Sequence, residues 1–166
     1  ALAATENSVS KARSDLLLSN GVFLRSQGNL EEKKKIYERT LKESRQLNDL
    51  SHIIKANHGL AAIAVLQKDF SSAQTAIEEA LALSRELNDE MQTAYSLASL
   101  GDLEMSRENL SVARPLLEEC LRLAKKLRHT KLLSVTCFNL GTIDFFENSF
   151  EQAASNFAES LQIARE

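Results

Sequence analysis

Met91–Thr130 reads MQTAYSLASLGDLEMSRENLSVARPLLEECLRLAKKLRHT. Apolar residues recur at helical spacing on both sides of Glu108-Asn109, so the stretch reads as two amphipathic helices joined in a hairpin. Leu100-Gly101 marks the first helix, and Ala113, Leu117 and Leu121 mark the second. The same marks return forty residues later as Leu140-Gly141, Ala153, Phe157 and Leu161. Forty residues earlier they read Leu60-Ala61, Ala73, Ile77 and Leu81, with a weaker copy at Asn20-Gly21, Tyr37 and Leu41. Self-similarity at a fixed period is the mark of a stacked-repeat architecture, in which each unit buries its apolar face against its neighbours.

Working outward, residues 1–10 carry little pattern and read as a lead-in. Helical spacing begins near Ser10 and breaks at Gly28-Asn29, where Asn29 and Glu32 can form a capping box. The next helix runs to Leu47. Asn48-Asp49 then offers a left-handed helix end followed by a cap, and Asn88-Asp89 repeats it. Helices are expected over Ser51–Gln67, Phe70–Leu87, Glu90–Arg107, Leu110–Leu127 and Thr130–Glu147, with a last one after Ser149. Asp69 and Thr130 are read as caps, and Ser149 with Gln152 as a second capping box. Pro115 predicts a bend or a late start in its helix. The reading is therefore all-α: eight helices in four hairpins, with repeats at 11–50, 51–90, 91–130 and 131–166.

Two columns of small residues mark expected close helix crossings: Gly21, Ala61, Gly101 and Gly141, and Thr40, Ala80, Cys120 and Ser160. Cys120 and Cys137 are read as packing residues rather than reactive thiols. They show no paired framework, which fits a reducing cytoplasm.

The overall charge is −3, with 43% apolar residues, so a general electrostatic footprint for nucleic acid is absent. Residues 11–50 and 91–130 are net basic, and 51–90 and 131–166 net acidic. Lys33-Lys34-Lys35 and the pairs Glu78-Glu79 and Glu118-Glu119 read as solvated faces. No apolar run approaches a membrane span and no signal peptide is visible. The chain begins at Ala1 and stops inside a helical pattern at Glu166, as expected of a piece of something longer. His52, His58 and His129 lack metal-ligand spacing, no Gly-rich phosphate loop occurs, and no local motif joins Ser, His and acid residues. No cofactor and no enzyme activity are expected.

The hairpin of Leu100-Gly101, Leu110, Ala113, Leu117, Cys120 and Leu121 resembles the tetratricopeptide repeat, in a variety with a 40-residue period whose helices end in sequences such as Leu47-Asn48-Asp49. The resemblance covers residues 11–166 as one repeat domain. It implies a right-handed α–α superhelix of four hairpins and a protein- or peptide-binding scaffold, as in the regulatory arms of bacterial regulators, signalling ATPases and eukaryotic scaffold proteins. Lys33, Asn57, Glu104 and Asp144 depart from the family's apolar pattern. Glu104 and Asp144 could receive a basic side chain of a ligand, pair with an internal arginine, or face water.

The resemblance also implies that the first helix of each hairpin lines a concave groove. The positions carried over are Asp15, Leu18, Val22 and Arg25; Lys55, His58, Ala62 and Val65; Tyr95, Ala98, Asp102 and Met105; and Val135, Phe138, Thr142 and Phe145, with Phe146 beside them. The family's carboxylate-clamping Lys/Asn/Arg set is missing. Tyr95, Met105, Phe138, Phe145 and Phe146 form the expected anchor pocket, with packing of Phe145 and Phe146 on a further repeat as the alternative. A homodimer through Phe157 and Leu161, on a face no later helix covers, is the second reading of function.

Overall fold

A single local device, repeated every twenty residues, builds the molecule. In this computed structural model, which describes residues 30–165, six non-glycine residues have positive φ: Asn48, Lys68, Asn88, Glu108, Arg128 and Asn148. Each follows a helix end. The next residue sends its N–H five residues back, as Asp49 does to Ser44 (2.9 Å), Asn109 to Glu104 (2.9 Å) and Ser149 to Asp144 (2.8 Å). This is the Schellman closure, which satisfies the last carbonyls of one helix. At several of these turns the same residue also caps the following helix through its side chain, although Asn109 makes no such bond. Asp49, Asp69 and Asp89 accept the N–H groups of His52, Ser72 and Gln92.

Seven helices result among the described residues: α1 Leu30–Leu47, α2 Leu50–Leu66, α3 Phe70–Glu86, α4 Glu90–Ser106, α5 Leu110–Lys126, α6 Thr130–Phe146 and α7 Phe150–Arg165. The expected bounds hold to within a residue. The helix expected before Gly28 lies outside the described residues. Two local expectations are corrected. Helix α6 is capped by His129, whose Nδ1 accepts from Leu132 N–H at 3.1 Å, and not by Thr130. Helix α5 begins at Leu110 despite Pro115, so there is no late start.

The chain divides into two units, Ala1–Leu87 and Asn88–Glu166. In the first, α2 packs between α1 and α3. Its core includes Ile53, Ile54, Ile63, Ala73 and Ile77. In the second, α4 pairs with α5 and α6 with α7, and α5 packs on α6. Ala113 and Leu117 meet Leu140 and Ile143 there, with Met105, Leu110 and Leu121 packed around them.

Where the structure describes them, the small-residue columns do what the sequence predicts; Gly21 lies outside the described residues. A Cβ on Gly101 would lie 2.7 Å from Leu117, and one on Gly141 would lie 2.9 Å from Phe157. Thr40, Ala80, Cys120 and Ser160 are all buried. Gly59, which the pattern did not single out, is the tightest: a Cβ there would lie 2.4 Å from the Tyr37 ring.

Candidate functional site

In the second unit, α4 and α6 expose aromatic side chains beside an acidic one. On α4, Tyr95 and Asp102 are seven residues apart; on α6, Phe138, Thr142 and Phe145 follow at helical spacing. Residues so spaced share one helix face. The two helices are joined across this face by Asn139, whose side-chain amide donates to the Asp102 carboxylate. Asp102 keeps an exposed surface. Burial of its carboxyl nonetheless pushes the pKa up to about 6, against the lowering effect of the Asn139 hydrogen bond. Thr142 is tied down, its hydroxyl donating to the Phe138 carbonyl at 3.0 Å.

The expected anchor pocket is not a single ring cluster. Tyr95 meets His129 edge-on, with ring centroids 5.6 Å apart and its hydroxyl 3.1 Å from His129 Nε2. Because Nδ1 of that ring accepts the α6 cap bond, the neutral ring carries its proton on Nε2 and donates to Tyr95. Phe138 packs on Phe157 with ring centroids 5.4 Å apart and the planes tilted by 51°. Phe145 meets Phe146 at 6.0 Å and Phe150 at 5.7 Å. Met105 packs against the internal cluster of Leu117 and Leu140.

In the first unit, Lys55 is exposed and His58 is partly covered. Burial lowers the His58 pKa to about 4, so the ring is neutral at pH 7. Arg25 lies outside the described residues, as do Asp15, Leu18 and Val22. Phe157 does not lie on an open face: it is partly buried, packed on Gly141 and Phe138. Leu161 is exposed.

The pattern-breaking acids are used internally. Glu104 accepts from Arg107 (2.9 Å) and Asn109 (2.8 Å). Asp144 accepts from Arg114 (2.7 Å) and Asn156 (2.6 Å), and Arg114 also reaches Glu147 at 2.6 Å. Both acids are buried, and buried carboxylates are retained only when paired in this way.

The sequence pattern of the tetratricopeptide repeat family matches residues 93–128, the α4–α5 hairpin. The chain carries a tetratricopeptide repeat. The crystal structure of BtubC (BKLC) from P. vanneervenii superposes with a TM-score of 0.83 at 21% identity, over 94% of this chain and 65% of that one. The chain thus spans just under two thirds of that protein's structure. The MamA RS-1 ArsTM double mutant superposes with a TM-score of 0.65 at 17% identity, over 92% of this chain and 75% of that one. No curated protein sequence matches. These likenesses show the fold, the α-solenoid of helical repeat proteins.

Within the repeats, both cysteines are free and buried. Burial raises their thiol pKa values, and Cys120 Sγ lies 3.4 Å from the Thr136 hydroxyl. They serve as packing residues. Among the described residues, no cluster of three or more His, Cys, Asp or Glu could hold a metal ion, and no helix is long and apolar enough to cross a membrane. Sequence reasoning missed Asn139, Phe150 and the dual role of His129. Their signals were weak: Asn139 is one residue from the groove column, and His129 is an unusual cap standing where Asp49 and Asp89 stand in other repeats.

Proposed function

We propose that the chain is a protein- or peptide-binding scaffold that receives its partner along the α4–α6 face, in the concave groove such repeats form. Tetratricopeptide-type folds serve generally in protein interaction, and typically not as enzymes. One observation carries the choice of face. Phe138 and Phe145 lie a helical turn or two apart and remain 55% and 54% exposed although other rings brace them. Large aromatics held in place but still wet are the side chains that gain most from a partner. Asp102 beside them supplies a carboxylate for a basic or amide group. Capped helices present this surface preformed, so binding costs little backbone ordering. Lys55 and His58 of the first unit are separate candidate contacts, taken with Arg25 from the family pattern alone, and the chain would serve as the regulatory or assembly arm of a larger cytoplasmic protein.

A pulldown comparing the parent with a Phe138→Ala, Phe145→Ala double variant tests this. Partners lost by the variant support the groove, and an unchanged set rejects it. Self-association is the second reading, favoured by exposed Leu161 and by Phe145, Phe146 and Phe150 clustered on the last hairpin. Light scattering at two concentrations, with Leu161→Glu as control, distinguishes it.

A further inference from the structure

The first unit holds a cavity of about 440 Å³ between α1, α2 and α3, a volume typical of ligand pockets. Its floor is Asn57, Leu60 and Ile63 of α2. Two independent features mark it as a built site.

The first is Asn57. It is 1% exposed, lines the cavity, and its Nδ2 has no hydrogen-bond partner. Buried amide donors are almost always paired. The equivalent positions in the later repeats hold Leu97 and Cys137, both fully buried and making no such demand.

The second is the matching place eighty residues on, which side chains bridge. There Arg114, the counterpart of Lys34, reaches Asp144 and Glu147, and Asn156 closes on Asp144. In the first unit the counterparts of those three partners are Ala64, Gln67 and Ala76. No carboxylate stands at those positions to draw a long cation across, so the bay stays open. The flanking ion pair is common to both places: Arg45 with Glu79, and Lys125 with Glu159.

The lining specifies the ligand's chemistry. Leu60, Ile63 and Ala76 accept an apolar side chain. A primary amide presents a donor and an acceptor, the complement of a peptide unit. Glu38, Asp69 and Glu79 stand in the lining against the single cation Lys34, and the rim stays net acidic even with Arg45 held on Glu79. A basic flank is favoured there and an acidic one repelled. We propose that this bay docks a short peptide segment that seats an apolar side chain on Leu60 and Ile63, draws the Asn57 amide, covered in this structure, outward to pair with a main-chain amide, and carries a neighbouring basic residue. The bay lies in a different unit from the α4–α6 face, so its failure leaves the groove reading standing.

The test is a titration of the ¹⁵N-labelled chain with acetyl-Leu-Arg-amide and with acetyl-Leu-Glu-amide, following the Asn57 side-chain amide and the Ile63 and Ala76 backbone signals. The Arg peptide is expected to give saturable shifts at these signals, with the Glu peptide weaker by about fivefold, the scale of one exposed charge pair. Ala76→Leu, which fills the bay, and Asn57→Leu, which copies the Leu97 column, are each expected to abolish the saturable shifts. Absence of saturable shifts at Asn57, equal binding of the two peptides, or undiminished binding by Ala76→Leu overturns the proposal.

Discussion

Asn139 of α6 donates its side-chain amide to the carboxylate of Asp102 on α4, joining these two helices of the second unit. Burial raises the Asp102 pKa from 3.8 to about 6. A carboxyl whose pKa is higher folded than unfolded contributes stability below pH 4 that is lost as pH rises through 6. The surface around Asp102 is open, so solvent moderates the size of the effect. The expected result is a ¹³C carboxyl titration of Asp102 with a midpoint near 6. A midpoint near 4 would mean that the packing of α4 and α6 does not desolvate it. A basic groove ligand should bind more tightly at pH 7.5 than at pH 5.

Arg114 ties α5 to α6 through Asp144 and Glu147. Replacing it by Met leaves the buried Asp144 carboxylate with only the Asn156 amide. Removing one partner of a buried pair costs about 3–5 kcal/mol; because Arg114 is partly exposed, roughly 3 kcal/mol is expected. Urea unfolding should show this loss at an unchanged m-value, and Arg114→Met with Asp144→Leu should recover most of it. A single-variant loss below about 1 kcal/mol would show the pair to be solvated in effect.

Much of the fold was legible because it is written in local chemistry. Asn48-Asp49 and Asn88-Asp89 announce a left-handed helix end and a cap, and their positions set every neighbouring helix to within a residue. The columns through Gly101 and Cys120 announced the close crossings. The site was less legible, because exposure and pairing depend on neighbours in space. Phe157 sits in the repeat's apolar column, yet only the space above Gly141 lets its ring turn inward under Phe138. Glu104 and Asp144 were open to a ligand, an internal arginine or water; Arg107, three residues on, takes Glu104 locally, and Arg114 reaches Asp144 only through the packing of α5 on α6. Asn57 was visible as a misfit; that its amide is unpaired became visible only once α1 and α3 stood on either side of it.

The helix ends hold residues with no special liking for positive φ. Lys68, Glu108 and Arg128 have φ of 59°, 63° and 52°. The left-handed region costs an ordinary L-residue about 1 kcal/mol that glycine is spared. Glu108→Gly and Arg128→Gly are each expected to stabilise the fold by roughly 0.5–1 kcal/mol, after the larger chain entropy that glycine gives the unfolded state. Thermal melts should shift upward. A downward shift in both would show that these side chains contribute more than their backbone strain.

Gly59 faces the Tyr37 ring, where a Cβ would lie 2.4 Å from ring carbons. In an open helix interior, Gly→Ala gains about 1 kcal/mol of propensity. Here overpacking of about 1–3 kcal/mol opposes it. Gly59→Ala is expected to be neutral to destabilising in the parent and stabilising in a Tyr37→Ala background. A double-mutant cycle by denaturant unfolding measures the coupling, and additive effects would place the ring elsewhere.

His58 carries the opposite pH signature to Asp102. Burial lowers its pKa from 6.5 to about 4, so the folded chain resists a proton that the unfolded chain accepts. Stability contributed by the neutral ring is complete above pH 6.5 and is lost as pH falls toward 4, by up to about 3 kcal/mol. Between pH 4 and 6 the two residues therefore oppose one another: acid weakens the fold at His58 and favours it at Asp102. His58→Gln should remove the acid loss and leave stability falling as pH rises from 4 to 6. Asp102→Asn should do the reverse and steepen the loss toward pH 4. Urea midpoints of the parent and both variants, measured at pH 4.5, 5.5 and 7, check the two slopes. If His58→Gln leaves the acid limb unchanged, the ring is not where the proton is refused.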